Sequence, residues 1–212
     1  MAGHGEGGSR ERKAMSGSSE VQQAKLQLRQ LLRSEDARHG AEERKEQSQR
    51  ITDRLMTQEV WKRAQFVLAY APMPSEPDIS PLFQASLCAG KRLAFPRSLG
   101  LDAGYEAAEV KDCRVELLPG KFGILEPIEL CPVAPRNQLD LVLIPGLGFD
   151  HALGRLGRGR GYYDRLLMGL KGQFCGVAFD WQVTVALPLE PHDIPVDLLV
   201  TPSRWLERAR VQ

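Results

Sequence analysis

The sequence predicts an α/β protein: an open, mostly parallel sheet with helices on both faces, in the Rossmann-like three-layer manner. Three observations carry this. Two short runs, Phe66–Tyr70 and Leu139–Pro145, apolar throughout except for Asp140, read as buried strands. Segments of helical period stand between such runs. A glycine-rich loop directly follows one run and directly precedes a helical segment, as in strand–loop–helix units.

Along the chain, residues 1–20 are Gly, Ser and charge with almost nothing to bury, and are expected to form a disordered tail in which His4 is a solvated residue. From Val21 the apolar residues Ala24, Leu28, Leu31 and Leu32 recur at helical spacing, with Lys25 and Arg29 one turn apart on a neighbouring face. Gly40 ends this helix. A second, highly charged helix is expected over 41–63, with Ile51, Leu55, Val60 and Trp61 as its apolar positions. Phe66–Tyr70 is the first strand, closed by Pro72, Pro74 and Pro77, which cannot sustain a ladder. A helix over 80–89 and a strand from Arg92 to Phe95 follow. Residues 105–110 read as strand-like or irregular, and LPGKFGILEP (118–127) as a loop punctuated by Gly and Pro. After the Leu139–Pro145 strand come the glycine-rich loop, a helix over 162–170, and strands at 174–179 and 196–200. Residues 21–212 contain no internal repeat and no linker between two cores, so one α/β domain is expected there.

Composition excludes several classes. The 212 residues are 42% hydrophobic and 26% charged, with 28 basic against 27 acidic side chains. That balance argues against bulk attraction to nucleic acid or anionic lipid. No apolar run approaches the ~18 residues that a membrane span needs. The first residues lack a signal-peptide core. The cysteines at 88, 113, 131 and 175 are scattered without a C-x-x-C pair, which fits a reducing cytoplasm and no zinc ribbon.

The chemistry is expected in IPGLGFDHALGRLGRGRGYYD (144–164), which holds six glycines and three arginines. Glycines let backbone N–H groups turn inward, and the following helix start favours an anion. Arg155, Arg158 and Arg160 add forked positive charge suited to phosphate oxygens. The segment is a polyphosphate cradle without the G-K-[ST] ending of a Walker loop or the spacing of a dinucleotide fingerprint. An arginine–glycine RNA-binding tract is the rival reading. Its shortness, the strand before it and the apolar helix after it argue against that.

These residues also carry a resemblance. GLGFD and RLGRGRGYYD resemble the signature of the 5-formyltetrahydrofolate cyclo-ligase (5,10-methenyltetrahydrofolate synthetase) family. So, in order, do Lys25–Arg29 (KLQLR), YAPMPSE (70–76), Phe95-Pro96-Arg97, LPGKFGILEP and His192–Asp197 (HDIPVD). The resemblance implies an ATP-dependent ligase of one-carbon metabolism that turns 5-formyltetrahydrofolate, with or without a polyglutamate tail, into 5,10-methenyltetrahydrofolate, ADP and phosphate, using Mg2+. By the same resemblance Lys25, Arg29, Arg155, Leu156, Gly157, Arg158, Gly159, Arg160, Gly161, Tyr162 and Tyr163 bind ATP, and Arg158 and Lys25 act in catalysis. Met73, Glu76, Phe122 and Tyr162 line the pterin side, and Asp164 and Asp197 hold the metal. Many relatives carry Gly or Lys in place of Arg160, and some carry Trp in place of Phe122. A cytoplasmic monomer with no nucleic-acid or membrane partner is expected. The alternative is a non-catalytic folate or nucleotide binder on the same scaffold.

Overall fold

The computed structural model describes residues 7–100, 104–120, 123–159 and 161–208. Helix α1 spans Gly7–Asp36. It therefore includes most of the segment expected as a disordered tail. These residues continue the helix whose packed turns lie after Val21. After a turn, Gly40 precedes α2 (Ala41–Thr57), and α3 (Glu59–Arg63) follows. The single helix expected over 41–63 is broken at Gln58, which is extended. On one straight helix Leu55 and Trp61 would point roughly 120° apart. The break lets both enter the same core, at 0% and 6% exposure.

The strands and remaining helices then follow: β1 (Phe66–Leu68), α4 (Pro81–Cys88), β2 (Arg92–Ser98), β3 (Tyr105–Val110), β4 (Leu117–Pro119), β5 (Leu125–Pro127) and β6 (Leu141–Pro145). Next come β7 (Gly148–Asp150), β8 (Arg155–Leu156), α5 (Tyr162–Leu167), β9 (Gln173–Val177), β10 (Val183–Thr184), β11 (Leu198–Val200) and β12 (Trp205–Glu207). Seven of these strands form one sheet in the order β12-β11-β9-β6-β1-β2-β3. The inner five are parallel; β3 and β12 are antiparallel edges. Pro96 is tolerated inside β2 because β1 has already ended there, and Pro96 pairs only with Ala107 of β3.

Alternate strand residues fill two cores. Val67, Leu93, Leu143, Val177 and Val200 pack with α2, α3 and α4 on one face. Leu68, Ala94, Val142, Ile144 and Leu199 pack with Leu166 and Leu167 of α5 on the other. This is the expected mixed α/β architecture with helices on both faces.

Two expected loops contain strands. In the first, Leu117–Pro119 and Leu125–Pro127 pair antiparallel as β4 and β5. Within the glycine-rich segment, β7 pairs antiparallel with β8 and parallel with β10, forming a small second sheet. Apolar Phe149 and Leu156 supply the reason: both are buried, Phe149 in the core that α5 covers and Leu156 against Leu32 and Leu187, so this part of the loop is pinned to neighbouring cores. Among the described residues no helix is long and apolar enough to cross a membrane.

Candidate active site

Numbered along the chain, the five parallel strands lie in the order 2-1-3-4-5. The connections leave β1 in one direction and β6 in the other. Such a reversal opens a crevice beyond the strands' carboxyl ends. A cavity of about 370 Å³ lies there. Ala71, Met73 and Glu76 line it from the segment after β1, and Pro145 and Gly146 from the end of β6. Arg155, Gly157, Arg158 and Gly161–Asp164 come from the glycine-rich segment. Tyr105 and Ile124–Glu126 close it from β3 and the start of β5.

The loop is shaped by two left-handed glycines, Gly159 (φ +103°) and Gly161 (φ +61°), the second immediately before α5. Arg29 donates through Nε to the carbonyl of Gly157 at 2.9 Å, so α1 supports the loop from outside. Arg155 is almost fully buried and pairs with Asp164 at 2.5 Å. Among the described residues its buried Nε has no hydrogen-bond partner. Arg158 crosses to Glu76 at 3.1 Å and donates to Ser75 Oγ at 2.9 Å. The other oxygen of Glu76 accepts the Met73 N–H at 3.1 Å. Burial raises the Glu76 carboxyl above its ordinary value, while Arg158 and the Met73 N–H work against that rise. Burial also holds the Tyr163 hydroxyl neutral. Tyr162 meets Tyr105 edge-to-face at 5.3 Å, giving the cavity an aromatic wall.

Lys25 is buried, not a solvent-facing charge. It pairs with Glu190 at 2.8 Å and Asp193 at 2.5 Å. Leu156 departs from the expectation for a ligand-contacting side chain. It belongs to a cluster with Leu32 and Leu187, and its carbonyl accepts the Leu147 N–H. The two expected metal carboxylates are not brought together. Asp164 lines the cavity. Asp197 stands at the amino end of β11, where its Oδ2 accepts the Phe174 N–H at 2.8 Å. A parallel sheet puts that end opposite the strands' carboxyl ends, so sharing a sheet does not make Asp197 part of the site. Arg160 and Phe122 lie outside the described residues. Sequence reasoning missed Tyr105, Glu126, Glu190 and Asp193 as site or supporting groups. Glu126 and Asp193 stood inside quoted motifs, but nothing in the spacing marked Tyr105.

A model of the 5-formyltetrahydrofolate cyclo-ligase family matches residues 21–202. The chain belongs to that family. Its similarity to the family member named 5-formyltetrahydrofolate cyclo-ligase from Escherichia coli (strain K12) is 34% identity over 170 residues, covering 78% of this chain and 93% of the relative. The mouse (Mus musculus) cyclo-ligase is 28% identical over 188 residues, covering 84% and 93%. In structure the chain is similar to the 5,10-methenyltetrahydrofolate synthetase of Aquifex aeolicus, with a TM-score of 0.79 at 34% identity, covering 89% of this chain and 95% of that one.

Proposed function

We propose that this chain is an ATP-dependent cyclo-ligase that converts 5-formyltetrahydrofolate to 5,10-methenyltetrahydrofolate with release of ADP and phosphate. The observation that carries the reading is the Arg158–Glu76 pair. It joins the phosphate-suited glycine loop to the carboxylate suited to pterin donors, on one cavity. The two substrates would then meet at Arg158.

An N-formyl group is a poor electrophile because the nitrogen lone pair delocalises into its carbonyl. Transfer of the γ-phosphoryl group to the formyl oxygen makes that oxygen a leaving group and releases ADP. N10 then attacks the formyl carbon and gives up its proton to solvent or to the departing phosphate, the C–O bond breaks, and phosphate departs as the five-membered ring closes. The protein's work is alignment and charge neutralisation, as in phosphoryl transfer generally. In this reading the backbone of Gly157–Gly161 and the side chains of Arg155 and Arg158 receive the triphosphate, and Arg29 supports the loop at Gly157 and adds positive charge behind it. Lys25, held by Glu190 and Asp193, does not line the cavity and acts on the site through those carboxylates. Arg160 belongs to the same cradle. Glu76 accepts from the pterin amino and ring N–H groups, with Met73, Tyr162 and Phe122 over its faces. Buried Cys131 and Cys175 have no part; burial raises both thiols, Cys175 strongly.

Magnesium is usually held by one or two carboxylates together with substrate phosphates and waters. The donor set here fits that habit through Asp164, beside the loop. When bound, the ion would neutralise charge on the triphosphate. We place the protein in the cytoplasm as a monomer, with no nucleic-acid or membrane partner.

The test is an absorbance assay for the methenyl product with and without ATP. Product that depends on ATP supports the reading. Ligand binding without turnover would overturn it in favour of a binder.

A further inference from the structure

Asp150 closes β7 with a carboxylate that is 3% exposed. Among the described residues no cation is paired with it. Both oxygens are instead filled by backbone donors from two different segments. Oδ1 accepts the Gly154 N–H at 2.7 Å, and Oδ2 accepts the Leu187 N–H at 3.0 Å. The main chain reinforces the first link, since the Asp150 N–H donates to the Gly154 carbonyl at 3.2 Å. Between them Leu153 takes a left-handed backbone, φ +67°, in a buried position. A branched residue keeps that conformation only where its surroundings over-determine it. They do so here: the Leu153 N–H donates to Asp150 and its carbonyl accepts from Val196. Gly154 has no room for a side chain, because a Cβ would come within 3.0 Å of both Asp150 oxygens and 2.6 Å of Leu189.

What leaves this knot is the cationic machinery. Gly154 leads directly into Arg155, the buried arginine of the cavity. Leu187 leads within three residues to Glu190 and within six to Asp193, the two carboxylates that grip Lys25. One anchored carboxylate thus sets the origin of both arms.

We propose that Asp150 is a positioning residue for the nucleotide: it fixes Arg155 and the Lys25-holding segment relative to each other, without touching either substrate. The inference rests on the reading of the glycine-rich loop as the triphosphate cradle. Asparagine at 150 offers one acceptor oxygen and turns an amide donor toward another buried donor, so either Gly154 or Leu187 loses its bond.

The experiment compares wild type, Asp150→Asn and Leu82→Ala in steady-state assays with each substrate varied. Leu82, on α4, is buried in the core of the opposite sheet face and destabilises without touching the knot. Asp150→Asn is expected to raise the KM for ATP about tenfold. The KM for the folate should stay within about twofold, and Leu82→Ala should move neither ratio. An unchanged KM for ATP, a parallel rise for both substrates, or the same split in Leu82→Ala overturns the inference while wild-type turnover stands. Absence of ATP-dependent product from wild type instead removes the functional reading, and the inference with it. Should Asp150→Asn not fold, hydrogen exchange on wild type decides. A non-hydrolysable ATP analogue should slow exchange at Gly154 and Leu187 together, and the folate alone should not. Protection at neither amide, or equal protection by folate, overturns the proposal.

Discussion

Arg158 and Glu76, 82 residues apart in the chain, meet at 3.1 Å with unequal burial: the arginine side chain is 38% exposed and the glutamate side chain 5%. The inequality has a direction. Water can solvate the arginine if it leaves, whereas a buried carboxylate without a partner is costly. A triphosphate that draws Arg158 away therefore leaves Glu76 in need of donors, and a pterin ring supplies them.

Arg158→Ala should weaken ATP use by about ten- to a hundredfold in KM, the loss of a charge-assisted contact of about 1.5–3 kcal/mol. With nucleotide absent it should leave folate binding unchanged or tighter, because Glu76 then has no competing partner in Arg158, and nucleotide should no longer tighten folate binding. Steady-state kinetics with each substrate varied provides the check. An unchanged KM for ATP would remove Arg158 from the phosphate cradle.

Glu76→Gln should weaken folate binding and leave nucleotide binding intact, because an amide presents a donor where the pterin also donates. Its stability should depend on pH in a defined sense. Burial raises the folded-state Glu76 carboxyl above its ordinary value. The folded protein therefore keeps this proton over a range in which the unfolded chain has lost it. The stability this contributes is fully present below the ordinary carboxyl value and is lost as pH rises through the folded one. Glutamine does not titrate. The Tm of Glu76→Gln minus that of wild type should accordingly increase from pH 4 to pH 7. A difference independent of pH would show that burial does not perturb this carboxyl.

The sheet was legible where a run was apolar on both faces, as Leu141–Pro145 is. It was illegible where strands are two or three residues long and borrow their core from elsewhere. Neither Arg155–Leu156 nor Val183–Thr184 has a period to read, and each is a strand only because β7 lies between them. The cradle was legible because glycine and arginine at that density need a reason beyond packing. Asp164 and Asp197 looked alike in sequence, each an acid at an element's start. Only strand direction separates them, carrying Asp164 to the cavity and Asp197 to the far end of the sheet. The burial of Lys25 was illegible because its partners come 165 and 168 residues later.

The two left-handed glycines should differ in tolerance. Gly161 at φ +61° lies in the region an alanine can enter at a cost of about 1 kcal/mol, and among the described residues a Cβ there meets Arg165 alone, at 3.5 Å. Gly159 at φ +103° lies outside that region, and a Cβ there meets Arg29 at 3.4 Å. Thermal unfolding should show Gly161→Ala lowering Tm by about 2–4 °C and Gly159→Ala lowering it further. Gly159→Ala should also raise the KM for ATP, because it presses on the arginine that supports Gly157. Equal Tm losses would contradict the backbone argument.

Asp164→Asn separates the metal role from the ion-pair role. Arg155 is 3% exposed at its side chain and Asp164 27%, so the pair is sheltered on one side and open on the other. Asparagine keeps one oxygen for Arg155, so the stability loss should be about 1–2 kcal/mol, below the full cost of breaking a buried pair. Removing the negative charge also makes the cradle more positive. Nucleotide binding without magnesium should therefore hold or tighten, while the magnesium concentration for half-maximal rate rises severalfold. These opposite signs are the diagnostic, since general damage would weaken both. Asp197→Asn supplies the comparison. Its carboxylate caps the Phe174 N–H at the other end of the sheet, so it should lower Tm and leave the magnesium midpoint in place. A magnesium titration at saturating ATP and folate, run on both variants, decides the matter. A midpoint that moves in Asp197→Asn and not in Asp164→Asn would reverse the assignment.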